Sequence, residues 1–273
     1  MTASSPRTPS KTPKVTRIDR DNDSTVQSLT RAMQLLELLA EDDEGFRLVD
    51  IAAHSGLSSS TAHRLLTTLE QRRFVQFDRE TNLWYVGVRC FSVGAAFGRR
   101  RRIAHLALPV MRRLRDSTGE SINLGIADLG DIVFVTQVES RELMRAIGKP
   151  GFRAPLHGTA MGQAILAAMS EEDVLQYLRT YGLPKLTNNT IARASRLHET
   201  LGEVRRAGHA IDDEQNAVGL RCIAAAIRDE HGQPFGAISL VGPTQRIKST
   251  DFLHLGATVR AAADEITAAY GGR

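Results

Sequence analysis

Val26, Leu29, Met33, Leu36 and Ala40 recur at intervals of three and four residues, and the acidic run Glu41 to Glu44 follows them. That spacing predicts an amphipathic helix of about four turns with its apolar stripe against a core. A short second helix is expected over Asp50 to His54, with Leu48, Ile51 and Ala52 facing inward. Gly56 supplies a left-handed backbone position for a sharp turn. Ser58 then stands where a helix cap belongs, ahead of a third helix whose buried stripe is Ala62, Leu65, Leu66 and Leu69. Next come "FVQFD", "RETN" and "LWYVG", which alternate, turn and alternate again as a β-hairpin does.

From Val88 to Thr118 the pattern is that of a mostly helical connector, interrupted near Gly94 and Gly98. Ile103, Leu106, Val110 and Leu114 lie on one of its faces, where a second copy can pair. Beyond Gly119 the period changes to mixed α and β. "SINLGIA", the turn "DLGD" and "IVFVTQV" predict a hairpin. Thr159 to Met169, Glu171 to Tyr181 and Arg193 to Ala207 read as helices. "LRCIAAAI" and "FGAISLV" read as strands around the turn "DEHGQP", and Phe252 to Tyr270 as a terminal helix. The fold class is α+β, with a predominantly antiparallel sheet flanked by helices in the second half. Four segments follow: a flexible Ser/Thr/Pro/Lys-rich tail over 1–24, a helical and hairpin domain over 25–87, a linker helix over 88–118, and a sheet domain over 119–273.

Composition adds bounds to this picture. At 273 residues the chain is long enough for two domains at about 150 residues each, and 42% hydrophobic with 24% charged is the balance of an ordinary globular protein. Cys90 and Cys222 form no disulfide framework or metal knuckle. No apolar run approaches a membrane span and the N-terminus has no secretory signal, so the expected place is the cytoplasm. The net charge of +4 favours an acidic partner only mildly. Between Ser24 and Gly87, six arginines face nine acids; the positive excess sits in the tail and in Arg99 to Arg102.

Helix, helix, tight turn, helix and hairpin form a winged helix-turn-helix, in which the third helix enters the major groove of duplex DNA. This explains a helix that begins with Ser58, Ser59, Ser60 and Thr61: short hydroxyl side chains and free N–H groups at a helix start bond phosphate oxygens. His63, Arg64 and Thr67, one turn further in, are candidates for base edges, with arginine suited to guanine O6 and N7. Arg79, at the hairpin tip, completes the expected DNA-binding set. A redundant cap on a helix made for protein contacts is the plain alternative.

"GLSSSTAHRLLTTL", "PLHGTAMGQAILA" and "AIDDEQNAVGLRCIAAAI" followed by "GAISLVGP" together resemble the isocitrate-lyase-regulator (IclR) family of bacterial transcription factors, from about Val26 to Tyr270. The resemblance implies a repressor, with activation as the alternative output. It implies a dimer or tetramer on a palindromic operator in double-stranded DNA, and a C-terminal GAF-like or profilin-like domain that senses a small metabolite. Two-fold protein symmetry then matches symmetric half-sites.

The residues add a pocket. Thr159 opens an apolar helix, so the N–H groups of Ala160 and Met161 are unpaired donors suited to a carboxylate. Cys222, Ala224 and Ala226 share one strand face, and Ser239 and Val241 share another. In relatives that sense small keto or aldehyde acids, the matching positions bind the ligand: the helix-start amides, Asp212, Cys222 and Ser239. This chain departs at Val241, where one branch has a second serine, and at Ala160, where glycine is common. Each residue also has a plainer reading: Cys222 in the core, Asp212 in a cap or ion pair, Ser239 bonded to its own backbone. An enzyme using Cys222 with His209 or His157 as base is the alternative function, although no metal-ligand spacing, phosphate loop or nucleophile elbow accompanies it. A protein-docking scaffold is a third. No cofactor, metal or membrane is implied.

Overall fold

The computed structural model describes residues 26–100, 103–140 and 148–272. The predicted tail over 1–24 and, within the arginine run, Arg101 and Arg102 lie outside these residues, and only the backbone of Arg99 and Arg100 is described. The chain divides into two compact units between residues 101 and 102.

In the N-terminal unit, α1 (Gln27–Leu39), α2 (Leu48–Ser55) and α3 (Ser59–Gln71) precede an antiparallel hairpin of β1 (Val75–Asp78) and β2 (Leu83–Val86), and α4 (Val88–Arg100) follows. Leu35, Leu39, Ile51, Leu66, Leu69, Val75 and Trp84 form its core. The buried face of α1 is not the expected one. Val26 and Leu29 are 65% and 56% exposed, and inward contacts come from Ala32, Leu35, Leu36 and Leu39, a stripe rotated roughly 80° around the helix. Because α1 is apolar over a wide arc, periodicity detects the helix without deciding which edge packs. α2 starts two residues earlier than expected and ends at Gly56, whose φ of 67° gives the left-handed turn into α3.

In the C-terminal unit, α5 (Ile103–Thr118) leads into β3 (Ser121–Asp128), β4 (Asp131–Val138) and β5 (Arg153–Pro155). After a 3-10 turn come α6 (Ala160–Ala168), α7 (Glu171–Tyr181), α8 (Ala194–Ala207), β6 (Ala210–Asp213), β7 (Leu220–Arg228), β8 (Pro234–Pro243) and α9 (Phe252–Tyr270). The strands build one antiparallel sheet in the order β5-β4-β3-β8-β7-β6. Its two faces are divided by the strand period of two. Ile122, Leu124, Ile223, Ala225, Ile227, Ile238 and Leu240 pack against α5 and α9, and Ala224 and Ala237 pack against α6 and α8. α6 lies so close to the 3-10 turn that a Cβ at Gly162 would stand 2.1 Å from the Leu156 carbonyl oxygen. Among the described residues, no helix is long and apolar enough to cross a membrane.

The expected connector therefore resolves into two helices with different loyalties. α4 runs through Gly94 and Gly98 without a break, whereas Ile103, Val110 and Leu114 of α5 are buried in the C-terminal unit's own core. Three of the four expected stripe residues are thus covered within the chain, and Leu106 is half-buried. The exposed apolar side chains of the connector are Val88, Phe91, Val93 and Phe97, all on α4.

Candidate functional site

Ser58 caps α3, its hydroxyl accepting from Thr61 N at 3.3 Å and lying 3.1 and 2.9 Å from the hydroxyls of Ser60 and Thr61. Ser58, Ser59 and Ser60 are exposed, so the hydroxyl-tipped helix start stands in solvent. Arg64 is exposed one turn on, and its guanidinium has no ion pair among the described residues. His63 and Thr67 turn the other way, into an open groove of about 410 Å³ between α3 and the hairpin, which Arg47, Glu70, Phe77, Asn82 and Trp84 also line. The His63 ring meets Trp84 edge-on at 6.4 Å. The hairpin tip is set by Asp78, which accepts from Glu80 N at 2.9 Å and from the Thr81 hydroxyl at 2.8 Å. These bonds, the Glu80 amide first, hold the Asp78 carboxyl below the usual carboxylate range. Arg79 is exposed on that tip. The expected set is thus divided: Ser58 to Thr61 with Arg64 on the outer end and face of α3, His63 and Thr67 facing the wing.

The C-terminal unit contains a small cavity lined by Asn123, Phe134, Thr159, Met161, Asp212, Asn216, Ala217, Leu220, Cys222 and Val241. Its volume open to the centre of a water-sized molecule is about 30 Å³, room for about two waters or a few heavy atoms of a ligand. Thr159 caps α6 through a 3.0 Å bond from Gly162 N. The N–H groups of Ala160 and Met161 precede any intrahelical partner, and Met161 borders the cavity.

Asp212 faces Cys222 across the β6–β7 pair. Its Oδ1 accepts from Gln215 N at 2.6 Å and Asn216 N at 3.2 Å. Burial nevertheless dominates and pushes the Asp212 carboxyl up to about 7, so its neutral form is populated near neutral pH. Burial likewise pushes the Cys222 thiol up to about 12, with the Asp212 charge adding to the rise and the Ser239 hydroxyl opposing it. That is the reverse of an activated nucleophile. The two histidines proposed as its base are engaged elsewhere: His157 sits between the Tyr177 hydroxyl, at 3.1 Å, and Pro184 O, at 2.9 Å, and His209 lies by Ala207 O. Burial lowers the pKa of both rings.

Of the expected ligand residues, Met161, Asp212 and Cys222 line the cavity. Ala160 is fully buried at the head of α6, and Ser239 is fully buried on β8. Asn123, Phe134, Asn216, Ala217 and Leu220 were not anticipated. The alternation of Ile122, Leu124 and Ile126 marks one buried face of β3 and leaves Asn123 on the other; helices cover that face too, and Asn123 is only 1% exposed. A polar residue in the middle of a strand enclosed on both sides is the signal that would have found it.

A winged helix-turn-helix with an exposed recognition helix, and a second unit with a small, mostly apolar cavity that a few polar side chains enter, fit a DNA-binding regulator that answers to a small molecule. The IclR helix-turn-helix domain matches residues 28–79, and the bacterial transcriptional regulator IclR C-terminal domain matches residues 96–268. The chain is 41% identical over 249 residues to the transcriptional repressor IclR of Escherichia coli strain K12, covering 90% of this chain and 91% of that protein. A transcriptional regulator from Rhodococcus sp. RHA1 superposes with a TM-score of 0.75 at 28% identity, covering 90% and 98%. An IclR homologue from Microbacterium hydrocarbonoxydans, complexed with 4-hydroxybenzoate, shares the fold at a TM-score of 0.75 and 24% identity, covering 88% and 98%. The protein belongs to the IclR family of bacterial transcriptional regulators.

Proposed function

We propose that the chain is a cytoplasmic repressor that binds a palindromic operator as a homo-oligomer and changes its operator affinity when a small carboxylic acid enters the cavity. The observation that carries the ligand class is the head of α6. Met161, in the first turn of α6, lines the cavity together with a buried Asp212 and a neutral Cys222 thiol, and the N–H groups of Ala160 and Met161 open that turn. A carboxylate accepts from the helix-start amides, and protonated Asp212 donates to an oxygen of the same ligand. The small volume favours acids of few heavy atoms.

On the DNA side, Ser58, Ser59, Ser60 and Thr61 take phosphate oxygens, Arg64 reads a base edge, and Arg79 meets backbone beside the wing. His63 and Thr67 border the groove on the wing side and contact bases only if the wing-side strand enters it. The exposed apolar side chains of α1 and α4 support dimer formation through the N-terminal unit. The protonated Cys222 and the engaged histidines argue against covalent catalysis. Electrophoretic mobility of DNA from upstream of the protein's own gene tests the reading. A shift that weakens with salt and responds to a small acid supports it; turnover of an acid or ester with no DNA shift supports the enzyme instead.

A further inference from the structure

Three polar side chains lie abreast on the sheet face beneath α6. Asn123 of β3 stands opposite Gln137 of β4 and opposite Ser239 of β8, and directly opposed residues of an antiparallel ladder point to the same face. Among the described residues, Asn123 Oδ1 and Gln137 Nε2 are buried polar atoms with no hydrogen-bond partner, and the Ser239 hydroxyl has no oxygen or nitrogen partner and only the Cys222 thiol near it. Such atoms cost stability, and a core of this kind has no use for them. The apolar neighbours on this face, Ala224 and Ala237, show what packing alone selects.

Of the three, Asn123 lines the cavity, alongside Thr159 and Met161 from the head of α6. Gln137 and Ser239 flank its carboxamide, whose Oδ1 has no partner among the described residues, so the group has an acceptor, and an Nδ2 donor beside it, for something else. A neutral carboxamide is poorly matched to a carboxylate, whose charge the helix-start amides already meet. It is well matched to a neutral oxygen next to that carboxylate, because Nδ2–H donates to a carbonyl and Oδ1 accepts from a hydroxyl.

We propose that Asn123 is the specificity-determining residue of the effector site, recognising the 2-hydroxyl or 2-oxo oxygen of a small acid and selecting such acids over plain ones. This rests on the carboxylate reading above. A site that hydrogen-bonds a substrate oxygen discriminates against the analogue lacking it, because its own polar group is then left buried and unpaired.

The test is calorimetry on the full-length protein with glycolate, glyoxylate and acetate, and with lactate, pyruvate and propionate, for the wild type, Asn123→Ala and Asn123→Val. Thermal unfolding without ligand is measured alongside. The wild type is expected to prefer the oxygenated member of each series by about tenfold or more, and both variants to lose that preference while holding the plain acids as before. Asn123→Val is expected to unfold at the same or a higher temperature, since it removes an unpaired polar group. Variants that match the wild type on every acid overturn the assignment of Asn123 alone. So does an equal loss for all acids together with a lower unfolding temperature, which marks a structural role. A wild type that binds none of these acids removes the carboxylate reading, and this proposal with it.

Discussion

Gln163 Nε2 donates to Gln215 Oε1 at 2.6 Å and to the carbonyl of His157 at 2.8 Å. Gln163 belongs to α6, whose first turn borders the cavity, and Gln215 belongs to the loop whose amides hold Asp212. The bond therefore fixes the two sides of the ligand site to each other. The same loop is held from below by Thr187 and Thr190, whose hydroxyls donate to Gln215 O at 3.1 and 2.7 Å.

Gln163→Leu leaves the Gln215 and His157 oxygens without their donor in a buried site. The expected cost is about 2 kcal/mol in urea unfolding, together with weaker effector binding. Unchanged stability and unchanged affinity would show that the bond positions nothing.

The raised Asp212 carboxyl makes a pH prediction with a definite sign. A carboxyl whose pKa is about 7 when folded and 3.8 when unfolded contributes its stability fully below the unfolded value and loses it as pH rises through 7. The groups facing it are the Cys222 thiol, which is neutral, and the Asp213 carboxylate, which repels it. Asp212→Asn keeps an acceptor for Gln215 N and removes the charge. Its stability relative to wild type is expected to rise by roughly 2 kcal/mol between pH 5 and pH 8. Chemical denaturation at the two pH values reads this out, and a constant difference would place the Asp212 titration outside that window. Acid binding to the wild type should also weaken as pH rises through 7.

Gly56 makes the turn between α2 and α3 at a φ of 67°, in open space where a Cβ would meet nothing. The demand on the residue is therefore one of backbone conformation alone. Gly56→Ala should destabilise the N-terminal unit by about 1 kcal/mol, and Gly56→Asn by less, as judged by its thermal midpoint. Equal midpoints for all three would mean that the turn relaxes.

Most elements were legible because their signals are local: the cap at Ser58, the turn at Gly56, and the period of two in "LRCIAAAI". The terminal helix was read to its residue, Phe252–Tyr270. What failed was packing choice. α1 has apolar residues over a wide arc, and only the tertiary fold decides that Leu35 and Leu39 go inward while Leu29 stays out. The stripe of α5 was legible as apolar, but whether a sheet of its own chain or a second copy covers it depends on contacts distant in sequence. β5 and β6 are only three and four residues long, too short for alternation to register. Asp212 and Cys222 came from motif resemblance, and their cross-strand pairing is visible only once β6 is seen as a strand. Asn123 gives no local signal: the alternation of Ile122, Leu124 and Ile126 marks the opposite face of β3, and only the tertiary fold shows that helices cover its own face.

Phe91 is 78% exposed on α4, and Val88, Val93 and Phe97 of the same helix are exposed with it, a grouping that points to a contact surface. If α4 joins two copies, Phe91→Asp should shift sedimentation toward monomer and weaken operator binding, while the effector domain keeps its ligand affinity. A variant that sediments as the wild type would move the contact elsewhere.

The most direct test of the whole account is fluorescence anisotropy of labelled upstream DNA titrated with the full-length protein at low and moderate salt, with and without a small 2-oxo acid. The expected result is specific binding that weakens with salt, changes with the acid, and loses about 1 to 3 kcal/mol in Arg64→Ala. Binding that is indifferent to DNA sequence and to every acid offered would contradict the claim that this fold couples a recognition helix to an acid-holding cavity.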